Sequence, residues 1–354
     1  MTGQLSTKVH LRVRDLVRAS ITLLVAVVFV VTLGATTAAP ISAASRGSCK
    51  VTNTDTGRTY TRLKRAVRKA APGAHLVVRS RCRGGTFMDK DLVIVGKRSR
   101  RGKPILDGDA RSRVLTVKPG VKVRMRDLTI QDGRANKGFG GAIVNRGKLA
   151  LRDVVVRGSF AADRGGGVYN VGNLQLIGKS RIRDNTATKG GGIYNDGVVR
   201  LSGSSRIRNN IAGLGGGVYN VGVLRLRGLG RISRNRTTVN GAGGGVYNLS
   251  TTTLKGTSNV RANVATTAGG IANVGASLTL SDSSAVNGNQ AQTVGGVAND
   301  AGSTLTMSSV STIRNNEAQT VGGLDNAGTI IAVSCAPQTA ANVYANVPDD
   351  CKLS

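Results

Sequence analysis

The sequence predicts an all-β protein wound as a parallel β-helix, with one short capping helix near its N-terminal end. Three observations carry that expectation. The stretch GGGVYN at 165–170 returns as GGGIYN at 190–195 and as GGGVYN at 215–220 and 243–248. The asparagine closing each such unit stands at Asn145, Asn170, Asn195, Asn220, Asn248, Asn273, Asn299 and Asn326, at intervals of 25, 25, 25, 28, 25, 26 and 27 residues, the regularity of a solenoid. Between these landmarks apolar residues alternate with polar ones and are punctuated by Gly and Asn, which is strand and turn rather than helix. With 49 glycines, no Trp and four Phe in 354 residues, the core must be layered from Val, Ile and Leu.

The chain divides into four parts. Residues 1–44 read as an export signal: Lys8, Arg12, Arg14 and Arg18 precede an apolar run from Ile21 to Ala39 and the small residues ISAAS, with cleavage expected after Ala44. The alternative is a retained N-terminal anchor, because the apolar run is about as long as a membrane span. Either reading puts the rest of the chain outside the cytoplasm, secreted or at the cell surface. Residues 45–84 form an N-terminal cap, in which TRLKRAVRKA at 61–70 places Leu63, Ala66, Val67 and Ala70 on one helical face before APG ends it. Residues 85–334 form the β-helix, entered through irregular first rungs such as LVIVG, PILDG, RVLTV and DLTIQDG. Residues 335–354 form a C-terminal cap. Exported chains oxidise their cysteines, so Cys49 is expected to pair with Cys82 and Cys335 with Cys351, one of three possible pairings. With no CxxC and only His75 beyond the signal, neither a metal site nor a cofactor is expected.

Each period carries a second landmark, an aliphatic residue followed three positions later by Asn: Ile182 and Asn185, Ile207 and Asn210, Ile232 and Asn235, Val260 and Asn263, Val286 and Asn289, Ile313 and Asn316. Three short strands then fill each coil. Their inward residues are Val168, then Leu174 and Leu176, then Ile182, with equivalents in every later coil. The glycines are expected to turn the backbone where the next rung leaves no room for a side chain. The closing asparagines are expected to occupy left-handed corners and to bond to one another across rungs. Tyr169, Tyr194, Tyr219 and Tyr247 should stack as an outward ladder that lapses to Ala272, Ala298 and Asp325, structural first and a sugar platform second. The insertion RTTVNGAG marks an external loop.

IRDNTA…GGGIYN and IRNNIA…GGGVYN, with GGAIVN at 140–145, resemble the FxxN and GGA(I/L/V) repeats of chlamydial polymorphic outer membrane proteins, with Ile or Val in place of Phe. The segment VTNTDTGRTYTRLKRAVRKAAPGAHLVV is similar to the CSLREA-type entry region found ahead of such repeats. The resemblance implies a right-handed, pectin-lyase-like parallel β-helix on an exported, often adhesive, protein. It supplies no activity.

Catalysis by a polysaccharide hydrolase requires paired carboxylates. The chain has a single glutamate, Glu317, and its closest acidic grouping is Asp107 with Asp109 in LDGDAR, read as a turn between early rungs. A lyase would need a basic residue facing calcium-binding aspartates, a grouping the repeats do not show. No catalytic residue is assigned.

Charge is the strongest compositional signal. Residues 45–240 hold 42 Lys and Arg against 11 Asp, a net of +31, whereas residues 241–354 hold 4 Lys and Arg against 6 Asp and Glu, a net of −2. If Ile182, Ile207 and Ile232 point inward, Arg181, Arg206 and Arg231 stack outward on successive rungs, with Arg183 beside Arg208. A second column runs through Arg200 and Arg225, with Arg227 close by. Stacked like charges repel, and a linear polyanion along the axis would neutralise them. The expected partners are acidic polysaccharide, teichoic acid, lipopolysaccharide or sequence-independent nucleic acid, bound in a non-catalytic, adhesin-like role. A polysaccharide lyase or hydrolase is the alternative, and a structural spacer the third reading.

Overall fold

The computed structural model describes residues 48–100, 102–331, 343–344, 346 and 351–353. The expected export segment lies outside them, as does Cys335 of the expected Cys335–Cys351 pairing. The described chain is a parallel β-solenoid of three long sheets, with two further two-stranded sheets and a single helix. A representative coil runs through Val168–Asn170, Asn173–Ile177 and Arg181–Arg183. The three sheets to which these strands belong are named here the tyrosine, leucine and arginine sheets. The leucine sheet has 13 strands, of which the first two join antiparallel, and the other two sheets have 11 each.

Register follows the sequence period. Val168 pairs with Ile193, Leu174 with Val199 and Ile182 with Ile207, and each pairing continues into the following coil. These residues are fully buried in one continuous core. Each contributes about 1.5–3 kcal/mol relative to exposure. A coil with no aromatic core residue is therefore held by stacking the same aliphatic side chain on itself.

The glycine triplets do two things. The first of each, such as Gly165 (φ +66°) or Gly190 (φ +65°), takes a left-handed turn. The third lies so close to the next coil that a Cβ on Gly167 would stand 2.6 Å from the carbonyl oxygen of Gly192. The closing asparagines correct one expectation: they are not the left-handed corners. Each ends a strand of the tyrosine sheet and turns its amide inward. The left-handed position falls just before the second landmark, at Asp184 (φ 57°), Asn209 (φ 54°), Arg234 (φ 55°) and Asn315 (φ 53°). The turn is needed there because the chain must swing the following Asn185, Asn210, Asn235 or Asn316 into the core.

Two amide ladders result. In one, Asn145 Nδ2 donates to Asn170 Oδ1 at 2.7 Å, Asn170 to Asn195 at 2.8 Å and Asn195 to Asn220 at 2.7 Å, continuing to Asn326. In the other, Asn185 donates to Asn210 at 3.0 Å and Asn210 to Asn235 at 2.9 Å, continuing to Asn346. Buried polar groups are tolerated only when bonded, and within each ladder the amide is bonded by its counterpart in the neighbouring coil.

At the N-terminal end, Val51–Asn53 pairs antiparallel with His75–Val78 and so covers the first edge of the leucine sheet. Helix Leu63–Lys69 buries Leu63, Ala66 and Val67 and packs against Val51–Asn53 and Thr86–Met88. Cys49 and Cys82 form a disulfide, as expected. The insertion expected as a loop is a strand: Arg236–Ala242 pairs with Ile211–Leu214 through a shift of register at Ala212 to Leu214, and Val239 at its tip is 87% exposed. Among the described residues no helix is long and apolar enough to cross a membrane.

Candidate functional site

Alternation within each strand decides which side chains face out. In Arg181–Arg183 and Arg206–Arg208 the central Ile is buried and both flanking arginines are half-buried. Parallel register then sets Arg181, Arg206 and Arg231 one above another, at the rung spacing of about 4.8 Å. Arg183 and Arg208 form the neighbouring column, which Arg157 begins, Ser233 interrupts and Arg261 resumes. On the leucine sheet Arg200 and Arg225 are paired neighbours, with Gln175 before them and Thr253 after. Arg227 belongs to no column; it lies exposed in the turn that follows Val223–Leu226.

Few carboxylates answer these cations. Arg183 pairs with Asp184, and Arg200 Nη1 donates to Asn173 Oδ1 at 2.8 Å. Burial first, then the charge of Arg183, lowers the pKa of Arg208; burial, then Arg261 and Arg206, lowers that of Arg231. A guanidinium remains charged through such shifts. The face is therefore one of mutually repelling, partly desolvated cations.

A second basic area lies on the leucine sheet, in the irregular early rungs. Lys122, Arg124 and Arg126 pair with Lys148, Ala150 and Arg152, and all five cations are exposed. A shallow groove of about 360 Å³ runs from Lys122, Arg124 and Lys148 to Asn173 and Gln175. The alternation KVRMR and KLALR was the available signal, since Val123, Met125, Leu149 and Leu151 are buried between the cations.

The tyrosine ladder forms, with its two central rings buried and Tyr169 and Tyr247 at its ends half-buried. Ring centroids of Tyr169 and Tyr194 are 5.4 Å apart, and those of Tyr194, Tyr219 and Tyr247 follow at 5.1 Å, with Phe139 extending the stack one coil earlier at 4.3 Å from Tyr169. Tyr194 is 8% and Tyr219 7% exposed. The segment preceding each glycine triplet folds over the rings, bringing the Arg164 guanidinium 5.2 Å from the Tyr194 centroid and Lys189 Nζ 5.6 Å from that of Tyr219. The two central rings, covered in this way, offer no open face to a sugar.

The acidic grouping is likewise engaged in structure. Asp107 is completely buried, pairs with Arg81, and accepts from Gln131 Nε2 at 3.1 Å and from the Asp109 amide at 2.6 Å. Asp109 itself occupies a left-handed turn (φ 55°) with Arg83 Nε at 3.7 Å. Glu317 accepts from Gln290 Nε2 at 3.0 Å. Among the described residues no three His, Cys, Asp or Glu gather as a metal-holding group.

Fold and surface together define a parallel β-solenoid with register-matched columns of arginine on two of its sheets. Comparison with family profiles, characterised proteins and solved structures finds no match to this chain.

Proposed function

We propose that the protein is an exported, right-handed β-helix of the polymorphic outer membrane protein repeat type that binds a polyanionic polymer without cleaving it. One observation carries the reading: Arg181, Arg206 and Arg231 stand in register on consecutive rungs with no acidic column beside them. Like charges held this way destabilise a sheet, so a fold that repeats them is matched to a ligand that repeats negative charge. The concentration of net charge in residues 45–240, a net of +31 from 42 cations and 11 aspartates, exceeds what solubility requires. The repeat landmarks and the apolar leader support the family type and the export.

The test is binding of the protein to polygalacturonate, teichoic acid, lipopolysaccharide and duplex DNA across a salt series, with polymer length followed in parallel. Binding that weakens steeply with salt, and is lost when Arg181, Arg206 and Arg231 are together replaced by Gln, is the expected result. Shortening of any polymer would make the protein a lyase or hydrolase instead. Absence of binding to all four would leave a structural spacer.

A further inference from the structure

The leucine sheet carries an open groove apart from the column of Arg181, Arg206 and Arg231. In its early rungs the outward positions form two rows. Lys122, Lys148 and Asn173 stand in register along one side, and Arg124, Ala150 and Gln175 along the other. Five of these six side chains are long or polar. The methyl group of Ala150, set between Arg124 and Gln175, leaves the space between them empty. The result is the groove of about 360 Å³ lined by both rows, within the range of ligand pockets, about 300–1,000 Å³. Solvent reaches it freely, because Lys122, Arg124, Lys148 and Gln175 are exposed and Ala150 and Asn173 half-buried.

Its chemistry is mixed, and the mixture defines the ligand. Among the described residues no carboxylate lies within ion-pair distance of Lys122, Arg124 or Lys148. Asp91 accepts instead from the Lys122 backbone N–H, at 2.7 Å. One coil beyond the groove Arg200, in register with Gln175, reaches back so that its Nη1 donates to Asn173 Oδ1 at 2.8 Å. That bond uses the acceptor of the Asn173 amide and leaves its Nδ2 as a donor. Gln175, exposed on the same strand, brings a donor and an acceptor of its own. The three cations call for anionic groups, whereas the amides suit a partner that both gives and takes hydrogen bonds. A phosphate chain offers acceptors alone. An acidic sugar carries a carboxylate or sulfate beside hydroxyl groups on one ring.

We infer that this groove is a second binding site, seating a short stretch of a carboxylated or sulfated glycan. Lys122, Arg124 and Lys148 hold the acid groups, and Asn173 and Gln175 hold the hydroxyls. The inference rests on the polyanion reading above, whose polymer it narrows to an acidic glycan, while its site lies on a different sheet from Arg181, Arg206 and Arg231.

The test measures trigalacturonate and tripolyphosphate binding by calorimetry, on the full protein and on three variants. It is run in about 0.15 M salt, where exposed charges more than about 8 Å apart are largely screened. Ala150→Leu fills the groove and keeps every charge, Gln175→Ala removes the exposed amide, and joint replacement of Arg181, Arg206 and Arg231 by Gln clears the other face. Wild type is expected to prefer trigalacturonate. Ala150→Leu and Gln175→Ala should each weaken that binding about tenfold, Gln175→Ala should spare tripolyphosphate, and the triple variant should bind trigalacturonate as wild type does. Circular dichroism checks the fold, and Gln175→Ala carries the test alone if Ala150→Leu does not fold. Wild-type affinity for trigalacturonate in either folded groove variant overturns the site. Equal wild-type binding of the two anions overturns it too, as does a loss in the triple variant as large as in Ala150→Leu. Long polygalacturonate, titrated alongside, separates the two readings. If it binds while trigalacturonate does not, the groove falls and the polyanion reading stands; if neither binds, both fall.

Discussion

Replacing Asn210 by Ala tests what holds one coil to the next. Its Oδ1 accepts from the Asn185 backbone N–H at 3.1 Å and from Asn185 Nδ2 at 3.0 Å, and its own Nδ2 donates to the carbonyl of Ile182 at 3.1 Å and to Asn235 Oδ1 at 2.9 Å. All four bonds are buried. After truncation Asn185 Nδ2 retains only the carbonyl of Val156 at 3.4 Å, and Asn235 Oδ1 retains the Asn210 N–H at 3.0 Å. The Asn185 N–H is left with no acceptor, and the Ile182 carbonyl loses its side-chain donor. At about 1–3 kcal/mol for each buried group so affected, the expected loss is about 2–6 kcal/mol. Against a domain stability of about 5–15 kcal/mol that is a large share. Urea unfolding followed by circular dichroism measures the loss, and hydrogen exchange at the Asn185 amide locates it. Solenoid coils couple mainly to their neighbours, so exchange should accelerate first around Asn185 and Asn210. A loss below about 1 kcal/mol, with the Asn185 amide protected as in wild type, would show that the sheets alone hold the coils and that the amide ladder adds nothing.

Two further outcomes follow from the packing and the buried rings. Gly192→Ala places a Cβ 2.6 Å from the Gly217 carbonyl oxygen and 2.8 Å from Ile207 Cγ2, so it should lower the melting temperature markedly, by about 1–3 kcal/mol of overpacking. Gly213→Ala, whose closest contact is 3.1 Å from the Thr188 carbonyl oxygen, should cost much less; equal effects would refute the close-approach argument. Burial raises the pKa of Tyr194, Tyr219 and Tyr247. These phenols therefore bind their protons more tightly in the folded state than in the unfolded. Their contribution to stability is complete below the ordinary phenol pKa of about 10 and is lost as pH rises through the folded values. Ultraviolet titration should show phenolate forming above that pH, together with a falling melting temperature, and ordinary titration of all tyrosines would contradict the covered ladder.

Much of the architecture was legible because a repeat states the same physics many times. Ile182, Ile207 and Ile232, each three residues before an Asn, define an inward position, and everything beside them must then face out. That reasoning located Arg181, Arg206 and Arg231 without coordinates. It failed where a residue's surroundings come from a segment outside the strand pattern. Nothing in GGGVYN says that Arg164 and Lys189 fold back over the tyrosines, so an outward ring read as an exposed ring. Asn185 and Asn170 look alike in sequence, and only the backbone shows that Asp184, not either asparagine, takes the left-handed turn. Lys122, Arg124 and Lys148 escaped notice because their coils precede the regular period, although their alternation with Val123 and Leu149 was present.

The asparagine ladders have a direction. Along each row the amide-to-amide bond runs one way, from Nδ2 of one coil to Oδ1 of the next, and Asn145, which begins one row, has an Oδ1 with no donor. A coil excised anywhere between Asn170 and Asn220 would bring together an amide and an oxygen that fit as well as the pair they replace. The protein is in that sense modular in a single dimension, and its length can be edited one period at a time. Since each such period also carries its own arginines, gene duplication or deletion would lengthen or shorten the reach along a bound polymer while leaving the joints untouched.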